Sequence, residues 1–252
     1  MKVLGVLQAR MSSTRLSGKV LEPVEGMPMI GRQIERLLRA KKIDELVVAT
    51  SSDASDDELT EYVESLGVRV FRGSRDDVLD RFINVIESCN PGLVVRLTAD
   101  CPLTSPAVID QIISKFQDSN LDYLSNTLTP TYPDGLDVEV VLPQVLEWVA
   151  ENSSDPHERE HVTLGVYRRP EQFKVSNYSD SSDHSDLRWT VDTPDDLDFV
   201  RQVYRHLYVE NPAFEYQDVL RLLDNHPELN RTSADAVRNA ALEGLDTGAM
   251  NA

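Results

Sequence analysis

The sequence predicts an α/β fold: a mostly parallel sheet with helices on both faces and a less regular second half. Three observations predict it. Apolar strand-like runs alternate with amphipathic helical stretches through the first half. The helical stretches carry start and stop residues, such as the Asp and Ser before one and Gly67 after it. The segments richest in chemistry, at 9–19, 50–53, 97–103 and 191–196, follow strand-like runs, where such sheets bind ligands.

Taken in order, KVLGVLQ at 2–8 reads as the first strand. Residues 28–40 put Ile30, Ile34, Leu37 and Leu38 on one helical face, with Pro28 suited to the first turn. ELVVATS at 45–51 is a buried strand, followed by a helix over 53–67. VRVFRG at 68–73 is a strand, and 74–88 a helix opening on the pattern Ser74-x-x-Asp77. GLVVRLTAD at 92–100 and SPAVIDQIISKFQ at 105–117 give the next strand and helix. Beyond them LDYLSN, LDVEVVL, HVTLGVY, FKVSNY and LRWTV read as strands, and 142–152 and 193–208 as helices. Residues 128–136 and 178–187 read as loops.

At 252 residues the chain fits one domain with an appendage, set here as 1–225 and a partly flexible extension, 226–252. No apolar run nears the roughly 20 residues of a membrane span, and the N-terminus is too short for a secretory signal. A cytoplasmic protein is expected. Cys89 and Cys101 have no metal or redox spacing and are expected as thiols. A net charge of −18 and a pI near 4.6 disfavour nucleic-acid binding.

Against that acidity, the stretch QARMSSTRLSGKVL is basic. It fails the Walker A pattern, because Ser13 stands at the first glycine position and Val20 follows the lysine. No dinucleotide fingerprint occurs either. Its chemistry still suits polyphosphate: Arg10, Arg15 and Lys19 offer charged donors, and Ser12, Ser13 and Thr14 hydroxyls. A solvated loop is the plain alternative, and its place after the first strand weighs against that. Asp100 and Asp192 are candidate ligands for Mg2+, which prefers one or two carboxylates plus substrate phosphates. For Asp192 a helix cap, or a neighbour of one, is the alternative. Asp134, Asp137 and Glu139 surround Gly135, the last two sharing one strand face. HEREH at 157–161 matches the zinc-protease pattern, but strand-like residues follow it. Asp196-Leu197-Asp198 lies inside a predicted helix, the wrong context for a sugar-transferase metal motif.

Six segments together, QARMSSTRLSGKVL, FRGSRDDVLDRF, RLTADCPL, PDGLDVEV, EREHVT and RWTVDTPDDL, resemble the SpsF-like cytidylyltransferases of polysaccharide synthesis. That family is related to the acylneuraminate and Kdo cytidylyltransferases. The likeness spans roughly residues 3–208, and Ser17 departs from the family's proline. The resemblance implies a Rossmann-like nucleotide-diphospho-sugar transferase fold. It implies CMP transfer from CTP to a sugar, expected to be an acidic nonulosonic type, with pyrophosphate released. Arg10, Ser12, Ser13, Arg15 and Lys19 would hold the triphosphate, with Arg10, Lys19 and Asp100 carrying catalysis. Ala9, Ser51, Ser52, Ser74 and Arg96 would form the base pocket. Asp134, Gly135, Asp137, Glu139, Glu160 and His161 would bind the sugar, and Asp100 and Asp192 the Mg2+. A homodimer paired through second-half elements fits the same family. A glycosyltransferase of similar fold and a non-catalytic nucleotide or sugar binder are the alternatives.

Overall fold

The computed structural model describes residues 1–13 and 15–232. Its strands and helices run β1 (Val3–Gln8), β2 (Pro23–Val24), β3 (Met27–Pro28), α1 (Met29–Leu37), β4 (Glu45–Ser51), α2 (Asp57–Ser65), β5 (Arg69–Gly73), α3 (Val78–Cys89) and β6 (Leu93–Thr98). They continue with α4 (Pro106–Gln117), β7 (Tyr123–Ser125), β8 (Glu139–Val141), α5 (Pro143–Asn152), α6 (Pro156–Glu160), α7 (Leu164–Tyr167), β9 (Val175–Asn177), α8 (Pro194–Leu207) and α9 (Tyr216–Asn225).

The main sheet has the order β5-β4-β1-β6-β8-β7-β9. β1 lies parallel to β4 and β6, and β4 to β5; β8 alone is antiparallel to its neighbours. Strand periodicity divides the core in two. Val3, Leu7, Leu46, Val48, Leu93, Val95 and Leu97 face one side, under α1, α2, α4, α8 and α9. Leu4, Val6, Val47, Ala49 and Val94 face the other, under α3, α5 and α7. Arg96 takes the next position on that second side and meets Glu139, its register partner on β8.

The chain leaves β1 for β4 on one side and later returns to β6 on the other. The strand order therefore reverses at the carboxyl ends of β1 and β6, where open α/β sheets form a crevice.

The helix starts follow their sequence signals. Ser105 caps α4 by accepting from Val108 N–H, and Asp77 caps α3 by accepting from Asp80 N–H. Thr193 and Asp196 form a reciprocal capping box on α8.

Two expectations change. HVTLGVY is not a strand: Leu164–Tyr167 is one helical turn packed on the second core side. A short buried apolar run has no periodicity that separates strand from helix. LRWTV forms no sheet strand; Leu187 and Arg188 make only isolated bridges, to Thr232 and Asp134. The hairpin β2–β3 has two residues per strand, too few for a periodic signal, whereas helix α9, absent from the expectations above, carries a Glu215–Asp218 capping box and an apolar stripe of Tyr216, Val219, Leu222 and Leu223. Residues 233–252 of the expected C-terminal extension lie outside the described residues, as does Thr14. No described helix is long and apolar enough to cross a membrane.

Gly135 fixes how the second half closes on the site. Its φ is 109°, and an added Cβ would sit 2.6 Å from Thr190 N and 2.7 Å from Trp189 C. Beside it, Trp189 N–H donates to the Asp134 carbonyl at 2.6 Å. Gly135→Ala is expected to destabilise by about 3 kcal/mol, combining dihedral strain with a backbone clash. Urea unfolding checks this, and an unchanged midpoint would remove the close approach.

Candidate active site

A cleft of about 330 Å³ opens at the strand-order reversal. Gln8, Ala9 and Arg10 from the end of β1 and Thr98, Ala99 and Asp100 from the end of β6 form its floor. Ser12, Ser13, Arg15, Lys19 and Val20 come from the loop after β1, Val78 and Arg81 from α3. Glu160, His161 and Asp192 complete it.

The loop is built from its own backbone. Gly18 N–H donates to the Met11 carbonyl at 2.9 Å, closing the loop at its neck. Gly18 itself has φ 73°, a left-handed turn that favours glycine and delivers Lys19 into the cleft. Met11 N–H is anchored by Asp56 Oδ1 at 2.7 Å. Asp56 is 1% exposed and also accepts from Thr50 Oγ1 and from the amide and hydroxyl of Ser51. Burial pushes its carboxyl up, but these hydrogen bonds outweigh it and hold the pKa below the ordinary value.

Lys19 joins the two predicted metal carboxylates. It is 9% exposed; its Nζ lies 3.1 Å from Asp192 Oδ1 and 3.8 Å from Asp100 Oδ2. It also donates to the Val191 carbonyl at 2.6 Å. Arg15 Nη2 stands 3.1 Å from Asp192 Oδ2, and Arg10 Nη2 3.8 Å from Glu160. Burial pushes the Asp100 carboxyl up, but the Lys19 ammonium and bonds from Thr98 and Cys101 hold it below the ordinary carboxylate value. Asp100 is therefore ionised at neutral pH.

Asp192 is the neighbour of a helix cap, Thr193, rather than the cap itself. A buried guanidinium holds Asp192 in place. Arg188, with a side chain 2% exposed, contacts Asp192 at 2.9 Å, Asp134 at 3.1 Å and Asp196 at 3.3 Å. Asp100 and Asp192 present hard carboxylate oxygens around one cationic position. That donor set fits a divalent ion that takes its remaining ligands from phosphate and water.

Ala9, Arg10, Ser12, Ser13, Arg15, Lys19, Asp100, Glu160, His161 and Asp192 are thus gathered in one cleft. Other candidate residues lie outside its lining, each occupied elsewhere. The Ser51 hydroxyl bonds the Asp56 carboxylate, supporting the loop from below. Ser52 is exposed, its N–H on the Gly73 carbonyl, and exposed Ser74 accepts from Asp77 N–H at the start of α3. Arg96 pairs with Glu139 and donates to Gln8 Oε1 at 3.2 Å. Glu139 also accepts from Tyr123 at 2.6 Å and Thr163 at 2.7 Å. This network lies one layer beneath the cleft, bracing Gln8 and the segment carrying His161. Asp134 is held by Arg188, Gly135 packs on 189–190, and the half-buried Asp137 lies beside Cys101.

HEREH does adopt a helix, α6, yet it does not gather a zinc site. His157 is exposed, Glu158 is buried on Arg168 and Arg169, and His161 faces the cleft. No group of three or more metal-ligating side chains occurs among the described residues. Asp196 is likewise occupied by Arg188 and the start of α8, so Asp196-Leu197-Asp198 is structural.

Sequence reasoning missed Gln8, Asp56, Arg81, Thr98 and Arg188. For Arg81 one signal existed: an arginine one residue before Phe82 on the buried face of an amphipathic helix.

Burial lowers the His161 pKa from its ordinary 6.5. The imidazole is neutral at pH 7. Its contribution to stability is complete above the unfolded value and is lost as pH falls through the lower folded value. Titration by NMR should give a His161 midpoint below 6.5; a midpoint above it would contradict the buried placement.

Comparison with known proteins follows the same lines. The sequence model of a cytidylyltransferase family matches residues 4–231. The Bacillus subtilis spore coat polysaccharide biosynthesis protein SpsF is 34% identical over 242 residues, covering 90% of this chain and 95% of that protein. The structure of a cytidylyltransferase from Leptospira borgpetersenii superposes with a TM-score of 0.87 at 32% identity, covering 91% of this chain and 96% of that one. A 3-deoxy-manno-octulosonate cytidylyltransferase from Geobacter sulfurreducens is 36% identical over 116 residues, 45% of each chain.

Proposed function

The chain belongs to the cytidylyltransferase family, and from that premise we propose that it transfers CMP from CTP to an acidic, nonulosonic-type sugar for glycan or surface-polysaccharide synthesis. The observation that carries this reading is the meeting of Arg10, Arg15 and Lys19 with Asp100 and Asp192 in one cleft. The relatives named for polysaccharide synthesis and for octulosonate activation support the substrate class.

In the reaction a sugar hydroxyl attacks the α-phosphorus. The bond from that phosphorus to the bridging oxygen breaks, and pyrophosphate leaves in line. Arg10, Arg15 and Lys19 neutralise charge on the leaving group. Ser12 and Ser13 supply hydroxyl donors along the triphosphate. Asp100 and Asp192 would hold Mg2+, which neutralises charge developing on the phosphoryl oxygens. Glu160 and the neutral His161 are the second-half groups in the cleft able to orient the sugar and accept its hydroxyl proton.

The experiment supplies purified protein with CTP, Mg2+ and a panel of ulosonic and nonulosonic acids. Pyrophosphate release with a CMP-sugar product by mass spectrometry is expected. No pyrophosphate across a broad nucleotide and sugar panel would sink the proposal. Nucleoside diphosphate as product would indicate a glycosyltransferase.

A further inference from the structure

We propose that Thr163 and the left-handed backbone of Val162 form a positioning device: together they aim His161 into the cleft. The bearing of that device on turnover rests on the nucleotidyl-transfer reading above. Among the described residues, three other than glycine have a positive φ: Glu25, Asn90 and Val162. Two of them are ordinary. Glu25 lies with Gly26 in the turn between β2 and β3, and Asn90 caps α3, where asparagine accepts that geometry. Val162, at φ 44°, is different, because a β-branched side chain crowds the backbone there.

The strain has a defined place. Helix α6 ends on His161, whose N–H donates to the His157 carbonyl at 2.8 Å, and α7 begins at Leu164. Val162 is the pivot between them. Thr163 N–H closes the turn on the His161 carbonyl at 2.5 Å, the bond of a γ-turn, which is strained when its central φ is positive. Such strain persists only where the surroundings over-determine it, and it gathers at functional sites.

Two restraints hold this turn. The Val162 side chain is fully buried on the second core side. Glycine would suit the backbone better but would leave the turn unpinned. The Thr163 hydroxyl, also buried, donates to Glu139 Oε1 at 2.7 Å. Glu139 is itself fixed: Tyr123 donates to the same oxygen at 2.6 Å, and Arg96 pairs with the other. Arg96 then reaches Gln8 Oε1 in the cleft floor at 3.2 Å. The turn that carries His161 and the strand end that carries Arg10 are therefore referenced to one buried carboxylate. This sets the spacing between the groups that would orient the sugar and the loop that would hold the phosphates.

Three measurements test the device. The first is urea unfolding of Val162→Gly and Val162→Ala. Glycine in place of alanine ordinarily lowers stability; here the glycine variant should have the higher midpoint, because only it relieves a positive φ. A lower midpoint for Val162→Gly overturns the strained turn. The second is NMR titration of His161, on which Glu160, Arg96, His157 and Glu139 act and which burial holds below 6.5. Thr163→Val removes the hydroxyl and keeps the shape. It should move the midpoint up toward 6.5 as the ring leaves its place, and Thr163→Ser should keep the wild-type midpoint. An unchanged midpoint in Thr163→Val overturns the proposal. Should that variant fail to fold, Val162→Gly takes its place in the titration, read the same way. The third is kinetics. Thr163→Val should lower kcat about tenfold or more with KM for CTP within about twofold, and Thr163→Ser should restore the rate. An unchanged kcat, or a KM for CTP that rises as much as kcat falls, overturns the positioning role. A wild type that releases no pyrophosphate defeats the nucleotidyl-transfer reading alone, and the urea and His161 midpoints still decide the turn.

Discussion

Lys19→Ala is expected to lower kcat/KM for pyrophosphate release by about 10²- to 10³-fold, the usual loss when one pre-placed charged donor leaves a transition state. Lys19 is delivered by a left-handed turn at Gly18, and its ammonium contacts Val191, Asp192 and Asp100. Removing it costs little of the fold, because Asp192 keeps Arg15 and Arg188 as partners and the Asp100 side chain, 32% exposed, is left to water. The thermal midpoint should therefore stay near that of the wild type while activity collapses. Lys19→Arg should not restore the rate. The planar guanidinium cannot occupy a slot shaped for a compact ammonium between a carbonyl and two carboxylates. Steady-state kinetics decides the matter, and an unchanged rate in Lys19→Ala would remove the ammonium from the chemistry.

Arg188→Ala should have the largest effect on stability, about 3–5 kcal/mol, the cost of stripping a buried charge of its partner. The guanidinium side chain is 2% exposed, and Asp196 beneath it 1%. Arg231 remains 3.3 Å from Asp196 Oδ1, which keeps the loss from being greater. Asp196 supplies a pH signature. Burial pushes its carboxyl up, and the Arg188 hydrogen bonds and nearby amides outweigh this, so its pKa lies below the ordinary 3.8. In the wild type its contribution is complete above that unfolded value and is lost as pH falls through the lower folded one. Arg188→Ala removes the main opposing bond and raises the folded pKa. Urea midpoints measured between neutral and acid pH should fall earlier in the variant. Matching midpoints at all pH values would show that the network carries no net stability.

The fold was legible wherever an element was long and its pattern regular. β1, β4 and β6 announce themselves as apolar runs, and α3, α4 and α8 by caps and a 3.6-residue stripe. Two of the failures lie where local signals are weak. HVTLGVY became a helical turn because four buried apolar residues satisfy either geometry. LRWTV stayed out of the sheet because its backbone is used in closing on Asp134 and Gly135.

For the site, the sequence by itself determined the basic loop after β1 and the strand-end carboxylate Asp100. Both follow from residue types set against strand ends, a relation that is local along the chain. Tertiary structure alone decided which distant residues meet them. Asp192 reaches Lys19 across 173 positions in sequence, and it does so because Arg188 and the capped start of α8 hold it there. Glu139 has the chemistry of a sugar site and Arg96 that of a base pocket, yet adjacent strands pair them with each other beneath the cleft. Composition and spacing set which groups a chain carries. Whether a charged group faces a ligand or another side chain depends on desolvation and pairing, and packing settles both.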